Sequence, residues 1–422
     1  MIERNEGGGG EPSRAVPSSH KEDLMSESPK LRIAVLFGGR STEHEISIIT
    51  GLQVLDAFDS TQFETLPVYV DPDGFWYTGP ELRERNHYIH FETLKEKLCR
   101  VRLTSDLETE LLEVGARPRG WFRKAIPRRF PVDVFFPAFH GTFGEDGCIQ
   151  GFLEFIGAAY TGCGPRAAAI GMNKHTAKQT LSSQGIPVLP GVLLDRRDWD
   201  AEKAHETTAE ILQNFSLPLM IKPCNLGSSI GISSARTEEQ LMISIAGAFV
   251  FDYQVIVEPL LEEMYELNIS VLEGHPPRVS AIERPKSEEK LLTFEQKYLK
   301  GNKKISASGS AGMASMQRDL DPSDVPEEIK SQVRAYSQKA FSGMDCRGLV
   351  RFDYLVDKTE NRVYFNEINT LPGSFSYYLW EKSEPPVPFT ALLTELVRLG
   401  QERWRERKKI RRQIERRILK ES

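Results

Sequence analysis

The chain lacks any uninterrupted apolar run near the roughly 18–20 residues that a bilayer-spanning helix needs. Its N-terminus also lacks the basic-then-apolar layout of a secretory signal. Cysteine is scarce, with five residues in 422 (Cys99, Cys148, Cys163, Cys224 and Cys346) and no C-x-x-C pair. An odd, scattered set argues against a disulfide framework or a structural zinc site and points to a reducing, cytoplasmic setting. Nor is there an excess of positive charge. The formal net charge is −6, which excludes nucleic-acid binding by the chain as a whole. No internal repeat is found.

What is present is ordinary for a globular protein: 40% hydrophobic, 27% charged and 9% aromatic residues, in a length that suits two or three packed domains. Charge is unevenly placed. Residues 401–422 carry ten Lys/Arg against four Glu, with Ile410, Ile414 and Ile418 four apart on one helical stripe. Membrane-surface or RNA docking is one reading of this tail. A solvated terminal helix continuing the periodicity of Leu392, Leu396 and Leu399 is preferred.

Residues 1–29, with GGGG, Pro, Ser and scattered charge, read as a disordered extension, and Met25 is a candidate start. Structure is expected to begin at Leu31–Phe37, an apolar strand that stops at Gly38-Gly39. A helix follows, capped by Ser41 or Thr42, with Glu43 and Glu45 in its first turn. Val134 to His140 read as a second buried strand, and residues 72–130 as a weakly periodic elaboration. One Ala-rich helical stretch is expected over Ala167–Ser183 and another helix over Glu238–Phe249. Strands are expected near Pro218–Lys222, Ile230–Ser234, Val255–Glu258, Glu266–Leu272, Leu349–Val356 and Val363–Ile368. The pattern predicts a Rossmann-like α/β start followed by α+β lobes. The small, basic residues 299–315 read as a long functional loop.

Three clusters carry chemistry. In Lys222-Pro-x-x-x-Gly227-Ser228-Ser229-x-Gly231 a lysine ends a strand and a small-residue turn lets backbone N–H groups approach phosphate. An ordinary Gly/Ser hairpin is an equally good reading of that turn alone. Arg351-x-Asp353 and Glu367-x-Asn369 each place two side chains on one face of a strand. Two carboxylates and an amide oxygen beside an arginine suit a hard cation such as Mg²⁺ with phosphate; a salt-bridged, solvated sheet face is the competing reading. Thr370-Leu-Pro-Gly373-Ser374 follows directly and offers a backbone N–H to an oxyanion. Glu43-His44 and His140-Gly-x-x-Gly144-Glu145-Asp146-Gly147 lie at carboxyl ends of predicted strands, where open α/β sheets bind ligands.

Taken in order, these motifs resemble the D-alanine–D-alanine ligases of the ATP-grasp superfamily. The set also includes Gly38-Gly39…Glu43-His-Glu-Ile-Ser47, Gln150-Gly-x-Leu-Glu154, Tyr160-Thr-Gly162, Met172-Asn-Lys174, Lys297-Tyr298 and Asn366-Glu367-Ile-Asn369-Thr-x-Pro-Gly373. The resemblance covers about residues 31–400. After the 1–29 extension, it implies a Rossmann-like N-terminal (pre-ATP-grasp) substrate domain over 30–172 and a two-lobed ATP-grasp fold. The central lobe would span 173–257 and the C-terminal catalytic lobe 258–400, with a basic helical tail at 401–422.

The resemblance further implies ATP and two Mg²⁺ (or Mn²⁺), small-molecule substrates, no nucleic acid and a homodimer. Lys174, Lys222, Ser228, Ser229 and Lys297 would face the nucleotide phosphates; Glu258, Leu261 and Glu266 would face adenine and ribose. Asp353, Glu367 and Asn369 would hold the metals. Glu43 would bind the ammonium of the first D-alanine, linked through Ser228 to Tyr298, with His140 near that substrate's carboxylate. Arg351 and the Gly373 N–H would stabilise the oxyanion, and residues 295–315 would form a lid. The chain departs from the family pattern at Asn173, where aspartate is frequent, at Phe294, where tyrosine is common, and at Tyr378. Tyr378 takes the place of a serine that holds the second substrate's carboxylate, so Tyr378, Ser374 and Ser376 are the candidates for that contact. A ligase using D-lactate, D-serine or another second substrate, and a catalytically silent nucleotide-binding relative, are the rival functions.

Overall fold

Leu31–Gly38 becomes the first strand, β1, because Ile33 to Phe37 are apolar without interruption and all fully buried, as a strand covered on both faces requires. The computed structural model describes residues 29–104, 109–115, 126–200, 202–286 and 318–411. Residues 1–28 and 412–422, Phe294, Lys297, Tyr298 and the expected lid at 295–315 lie outside them.

A helix, α1 (His44–Ala57), leads from β1 to β2 (Phe63–Val70), which pairs parallel to β1 in register from Leu31↔Phe63 to Gly38↔Val70. Residues 76–131 add β3 (Trp76–Thr78), a single helical turn α2 (Phe91–Leu94), β4 (Cys99–Leu103), β5 (Glu110–Glu113) and β6 (Arg129–Pro131). β7 (Val134–Pro137) then pairs parallel on the other side of β1. The resulting order is β6-β5-β4-β3-β2-β1-β7. The weakly periodic segment is therefore an antiparallel extension of the first sheet. Its strands are short and half covered, so they leave little sequence signal.

α3 (Cys148–Phe155), α4 (Pro165–Met172) and α5 (Lys174–Ser182) follow. The single helix expected over Ala167–Ser183 is thus two. Asn173 breaks it with an extended backbone (φ −89°, ψ 107°), and its Oδ1 accepts the Thr176 N–H as the cap of α5. A second, antiparallel sheet has the order β10-β9-β11-β8, from β8 (Val192–Asp195), β9 (Leu219–Pro223), β10 (Ser233–Ala235) and β11 (Gln254–Pro259). It packs against α6 (Ala204–Asn214) and α7 (Glu238–Ala248) through Ile211, Leu241 and Ile245. The strand expected at Ile230–Ser234 is reduced to Ser233–Ala235, because Ser228, Ser229 and Gly231 take left-handed φ values that a ladder does not admit.

The third sheet, ordered β14-β13-β12-β15-β16, is built from β12 (Met264–Leu272), β13 (Arg278–Pro285), β14 (Arg318–Leu320), β15 (Leu349–Asp357) and β16 (Arg362–Asn369). α8 (Glu327–Gly343), which the sequence reading passed over, covers it with Ile329, Val333 and Ala340. The chain ends in α9 (Tyr377–Trp380) and α10 (Phe389–Lys409), whose Leu392, Leu393, Leu396 and Val397 are buried in the core shared with β1 and α1. α10 is not simply solvated beyond residue 400. Arg403 donates to the Gly162 and Tyr160 carbonyls at 2.6 and 3.1 Å with its guanidinium over the Tyr160 ring, and Arg407 donates to the Ala158 carbonyl at 2.9 Å. Among the described residues no helix is long and apolar enough to cross a membrane.

Candidate active site

Glu43 sits at the turn between β1 and α1. It is the N-cap residue of α1 rather than part of its first turn, and Ser41 Oγ accepts its backbone N–H at 3.1 Å. The Glu43 side chain is buried, and Ser228 Oγ from the loop after β9 donates to Glu43 Oε1. A Cβ on Gly227 would stand 2.9 Å from Glu43 Oε2, and one on Gly141 2.7 Å from the same oxygen. The carboxylate therefore lies between two glycines, one from the turn after β7 and one from the loop after β9, with no room for a larger residue at either. Ser228 and Ser229 both have left-handed backbones (φ 53° and 59°), the kind of turn that can aim successive N–H groups at an anion.

The cations expected to face phosphate are gathered by acids. Lys174, at the start of α5, pairs with Glu367 on β16 at 3.2 Å and donates to the Leu226 carbonyl. Lys222 on β9 pairs with Glu258 on β11 at 2.8 Å and donates to Asn366 Oδ1 at 3.1 Å. Burial opposes ionisation of Glu258, but Lys178 and Lys222 outweigh it and hold the carboxyl at about 2. Lys178, one helical turn after Lys174 on α5, was not among the expected residues. It pairs with Glu258, and burial pushes its ammonium down to about 8. Its spacing from Lys174 (i, i+4) was the one signal that placed it on the same face. Leu261 lies in the link after β11 and Glu266 on β12, both half-buried.

β15 and β16 pair antiparallel with Asp353 opposite Glu367 and Arg351 opposite Asn369, which brings the four expected side chains together. Arg351 Nε and Nη2 donate to the two oxygens of Asp353 at 2.7 and 2.8 Å, and Asn369 Nδ2 donates to Asp353 Oδ2 at 3.0 Å. Burial opposes the Arg351 charge, yet Asp353 more than compensates and raises the guanidinium pKa well above its usual value. Among the described residues no three His, Cys, Asp or Glu side chains converge; the set here is two carboxylates and an amide. These are all hard oxygen donors on adjacent strands, each carboxylate already facing a cation, and they fit Mg²⁺ or Mn²⁺.

His140, just beyond β7, is buried between Thr50 of α1, whose Oγ1 is 2.8 Å from its Nε2, and the Leu371 backbone. Burial lowers its pKa to about 4, so the ring is neutral at pH 7. Tyr378 on α9 is also buried. Its hydroxyl donates to Glu283 Oε1 at 3.2 Å and its ring lies 3.9 Å under the Arg318 guanidinium. Ser374 and Ser376, by contrast, have buried hydroxyls without a hydrogen-bond partner. Ser374, Phe375 and Ser376 are consecutive left-handed residues after Gly373 (φ 52°, 50° and 46°). Glu145, Glu283, Arg318 and Asn366 had no assigned role from sequence; their partners come from distant segments.

Residues 32–163 match the family model described as the N-terminus of D-ala D-ala ligase, and residues 180–398 match that of its C-terminus. A D-alanine–D-alanine ligase of Chloroherpeton thalassium is 32% identical over 90% of this chain and 98% of its own length. The D-alanine–D-alanine ligase A of Bradyrhizobium diazoefficiens is 32% identical over 91% of this chain and 98% of its own. Among solved structures, the D-alanine–D-alanine ligase from Coxiella burnetii superposes with a TM-score of 0.72 at 27% identity, covering 90% of this chain and 97% of that one. The VanG D-Ala:D-Ser ligase from Enterococcus faecalis gives 0.70 at 25% identity, covering 88% and 100%. The chain belongs to the D-alanine–D-alanine ligase family, with the Rossmann-like start and ATP-grasp fold that its motifs implied.

Proposed function

We propose that this chain is an ATP-dependent, ADP-forming carboxylate–amine ligase that joins two D-alanines into D-alanyl-D-alanine for peptidoglycan synthesis in the cytoplasm. The bond from Ser228 to Glu43 carries the reading. It ties a carboxylate suited to an amino acid's ammonium group to the loop whose backbone suits phosphate, so both reactants are held in one place.

Glu43 holds the ammonium of the first D-alanine, whose carboxylate attacks the γ-phosphate of ATP to give an acyl phosphate and ADP. Lys174, Lys222 and the Ser228-Ser229 backbone carry positive charge and N–H donors toward the phosphates, while Glu258, Leu261 and Glu266 line the nucleoside side. Lys178, by sharing Glu258, keeps that acid ionised and in place. Asp353, Glu367 and Asn369 would hold two Mg²⁺ or Mn²⁺, which when bound would neutralise charge on the transferred group. The amine of the second D-alanine then attacks the acyl carbonyl, Arg351 and the Gly373 N–H stabilise the oxyanion, and inorganic phosphate leaves. The Ser374 and Ser376 hydroxyls are the free donors for the second carboxylate, since the Tyr378 hydroxyl is spent on Glu283. Neutral, buried His140 supports the site as an uncharged hydrogen-bonding group near the first substrate.

The test is Mg²⁺-dependent phosphate release from ATP with D-alanine alone and with D-alanine plus D-lactate, D-serine or L-amino acids, products being identified by mass. D-Ala-D-Ala from D-alanine alone is expected. A mixed product alone would move the second-substrate specificity, and silence across the panel would overturn the enzyme reading in favour of a nucleotide-binding relative.

A further inference from the structure

The turn Thr370–Ser374 carries the Gly373 N–H but is fastened mainly by residues of the first sheet's surroundings. Ser374 N–H donates to Thr50 Oγ1 of α1 at 3.3 Å. The Thr50 hydroxyl, accepting there, is free to donate to His140 Nε2 at 2.8 Å, which leaves the proton of the neutral ring on its other nitrogen, toward the Leu371 backbone. Leu371 N–H donates to Glu145 Oε1 at 3.0 Å, while Gly141 N–H donates to Glu145 Oε2 at 2.9 Å. Thr370 Oγ1 adds a bond to the Glu145 carbonyl at 3.3 Å. Phe375 packs its ring 5.1 Å from that of Phe136 on β7. Thr50, His140, Glu145, Thr370 and Ser374 are all buried.

Three consecutive non-glycine residues in left-handed conformation cost about 1–2 kcal/mol each and persist only where surrounding contacts over-determine them. Those contacts come from α1 and from the Gly141–Glu145 turn, the same turn that abuts Glu43. The seat of the first amino acid and the turn that would stabilise the oxyanion are thus one hydrogen-bonded unit.

We propose that Thr50 and Glu145 are positioning residues for the second half-reaction, holding the Thr370–Ser374 turn so that the Gly373 N–H meets the carbonyl oxygen of the acyl phosphate. The proposal rests on the ligase reading above. Neither residue touches a reacting atom; each acts through the turn. When the turn drifts, the acyl phosphate still forms at the first site but transfers slowly to the amine, and water takes a larger share of it.

The experiment compares wild type with Thr50→Val, Thr50→Ala, Thr50→Ser and Glu145→Gln. It measures kcat, KM for ATP and the phosphate released per dipeptide formed, with thermal melts as a check on folding. Expected for Thr50→Val and Thr50→Ala are a fall of about 10- to 100-fold in dipeptide kcat, a KM for ATP within about twofold of wild type and a phosphate-to-dipeptide ratio well above one. Thr50→Ser restores both rate and ratio, and Glu145→Gln shifts the ratio in the same direction as Thr50→Val. A one-to-one ratio in folded Thr50→Val and Thr50→Ala, whatever their rates, overturns the proposal, as does a Thr50→Ser protein no better than Thr50→Val. Absence of any dipeptide from wild type would instead overturn the ligase reading, so the two failures are distinguishable.

Discussion

Arg351 and Asp353 stand two residues apart on β15 and meet in a two-pronged ion pair, at 2.7 and 2.8 Å, with both side chains buried. One consequence is that the two acids of the proposed metal site are not equivalent to mutation. Asp353→Asn strips a buried arginine of its counter-charge, which typically costs about 3–5 kcal/mol. Glu367 is more exposed and its partner Lys174 keeps a carbonyl contact.

Glu367→Gln is therefore the cleaner test of the metal assignment. ATP turnover is expected to fall by about 10²- to 10³-fold with a smaller drop in melting temperature than Asp353→Asn gives, because Lys174 is buried but Glu367 is partly exposed, whereas Asp353→Asn loses activity and several degrees together. Steady-state assays across Mg²⁺ concentrations, paired with thermal melts, check this. Undiminished turnover in Glu367→Gln would remove that residue from the metal site.

Glu43 is confined between Gly141 and Gly227, so the seat for the first ammonium group is sensitive to a single methyl. Gly227→Ala would press its Cβ against Glu43 Oε2, and Glu43→Gln would remove the charge itself. Both are expected to raise the KM for the first D-alanine, Glu43→Gln by about 10- to 100-fold, as for loss of a hydrogen bond to a charged group. The KM for ATP is expected to change far less. An unaltered KM for D-alanine in Glu43→Gln would refute the assignment.

His140 and Glu145 make opposite contributions to stability as pH changes. Burial lowers His140 from 6.5 to about 4, so its share is present above pH 6.5 and is lost as pH falls toward 4. Burial, with the Glu43 charge nearby, raises Glu145 from 4.5 to about 8, so its share is present below pH 4.5 and is lost as pH rises through 8. Relative to wild type, His140→Gln is expected to gain stability as pH drops from 6.5 to 4, and Glu145→Gln as pH climbs from 4.5 to 8. Melts at three pH values read both slopes, and parallel curves for all three proteins would refute the two shifts.

The basic C-terminal residues divide at the end of α10. Arg403 and Trp404 bond the carbonyls of Tyr160, Gly162 and Gly157, and Arg407 pairs with Glu154 at 2.5 Å. Removing residues 412–422 is expected to leave turnover and melting unchanged. Removing 401–422, or Arg403→Ala alone at a cost of about 1–3 kcal/mol, is expected to lower the melting temperature. Equal melting temperatures for both truncations would contradict the docking role.

The sequence by itself determined the apolar strand Leu31–Phe37, the two charged strand faces at Arg351/Asp353 and Glu367/Asn369, and the family, because period-two patterning and ordered motifs are local properties of the chain. It did not reveal the strands within residues 76–131, which are too short to show a period, or the break at Asn173, where a cap hydrogen bond overrides helix propensity. Nor did it find Thr50 or Glu283, since nothing near them in the chain marks them, and it placed Glu145 in a ligand-binding motif without showing what that side chain holds. Only tertiary structure brought Glu145 to Leu371, 226 positions away, and Tyr378 to Glu283, 95 away, whereas the link from Ser228 to Glu43, 185 apart, was already implied by the family resemblance. Hydrogen bonds between remote segments depend on how three sheets pack, and packing is decided by the whole core rather than by any window of residues.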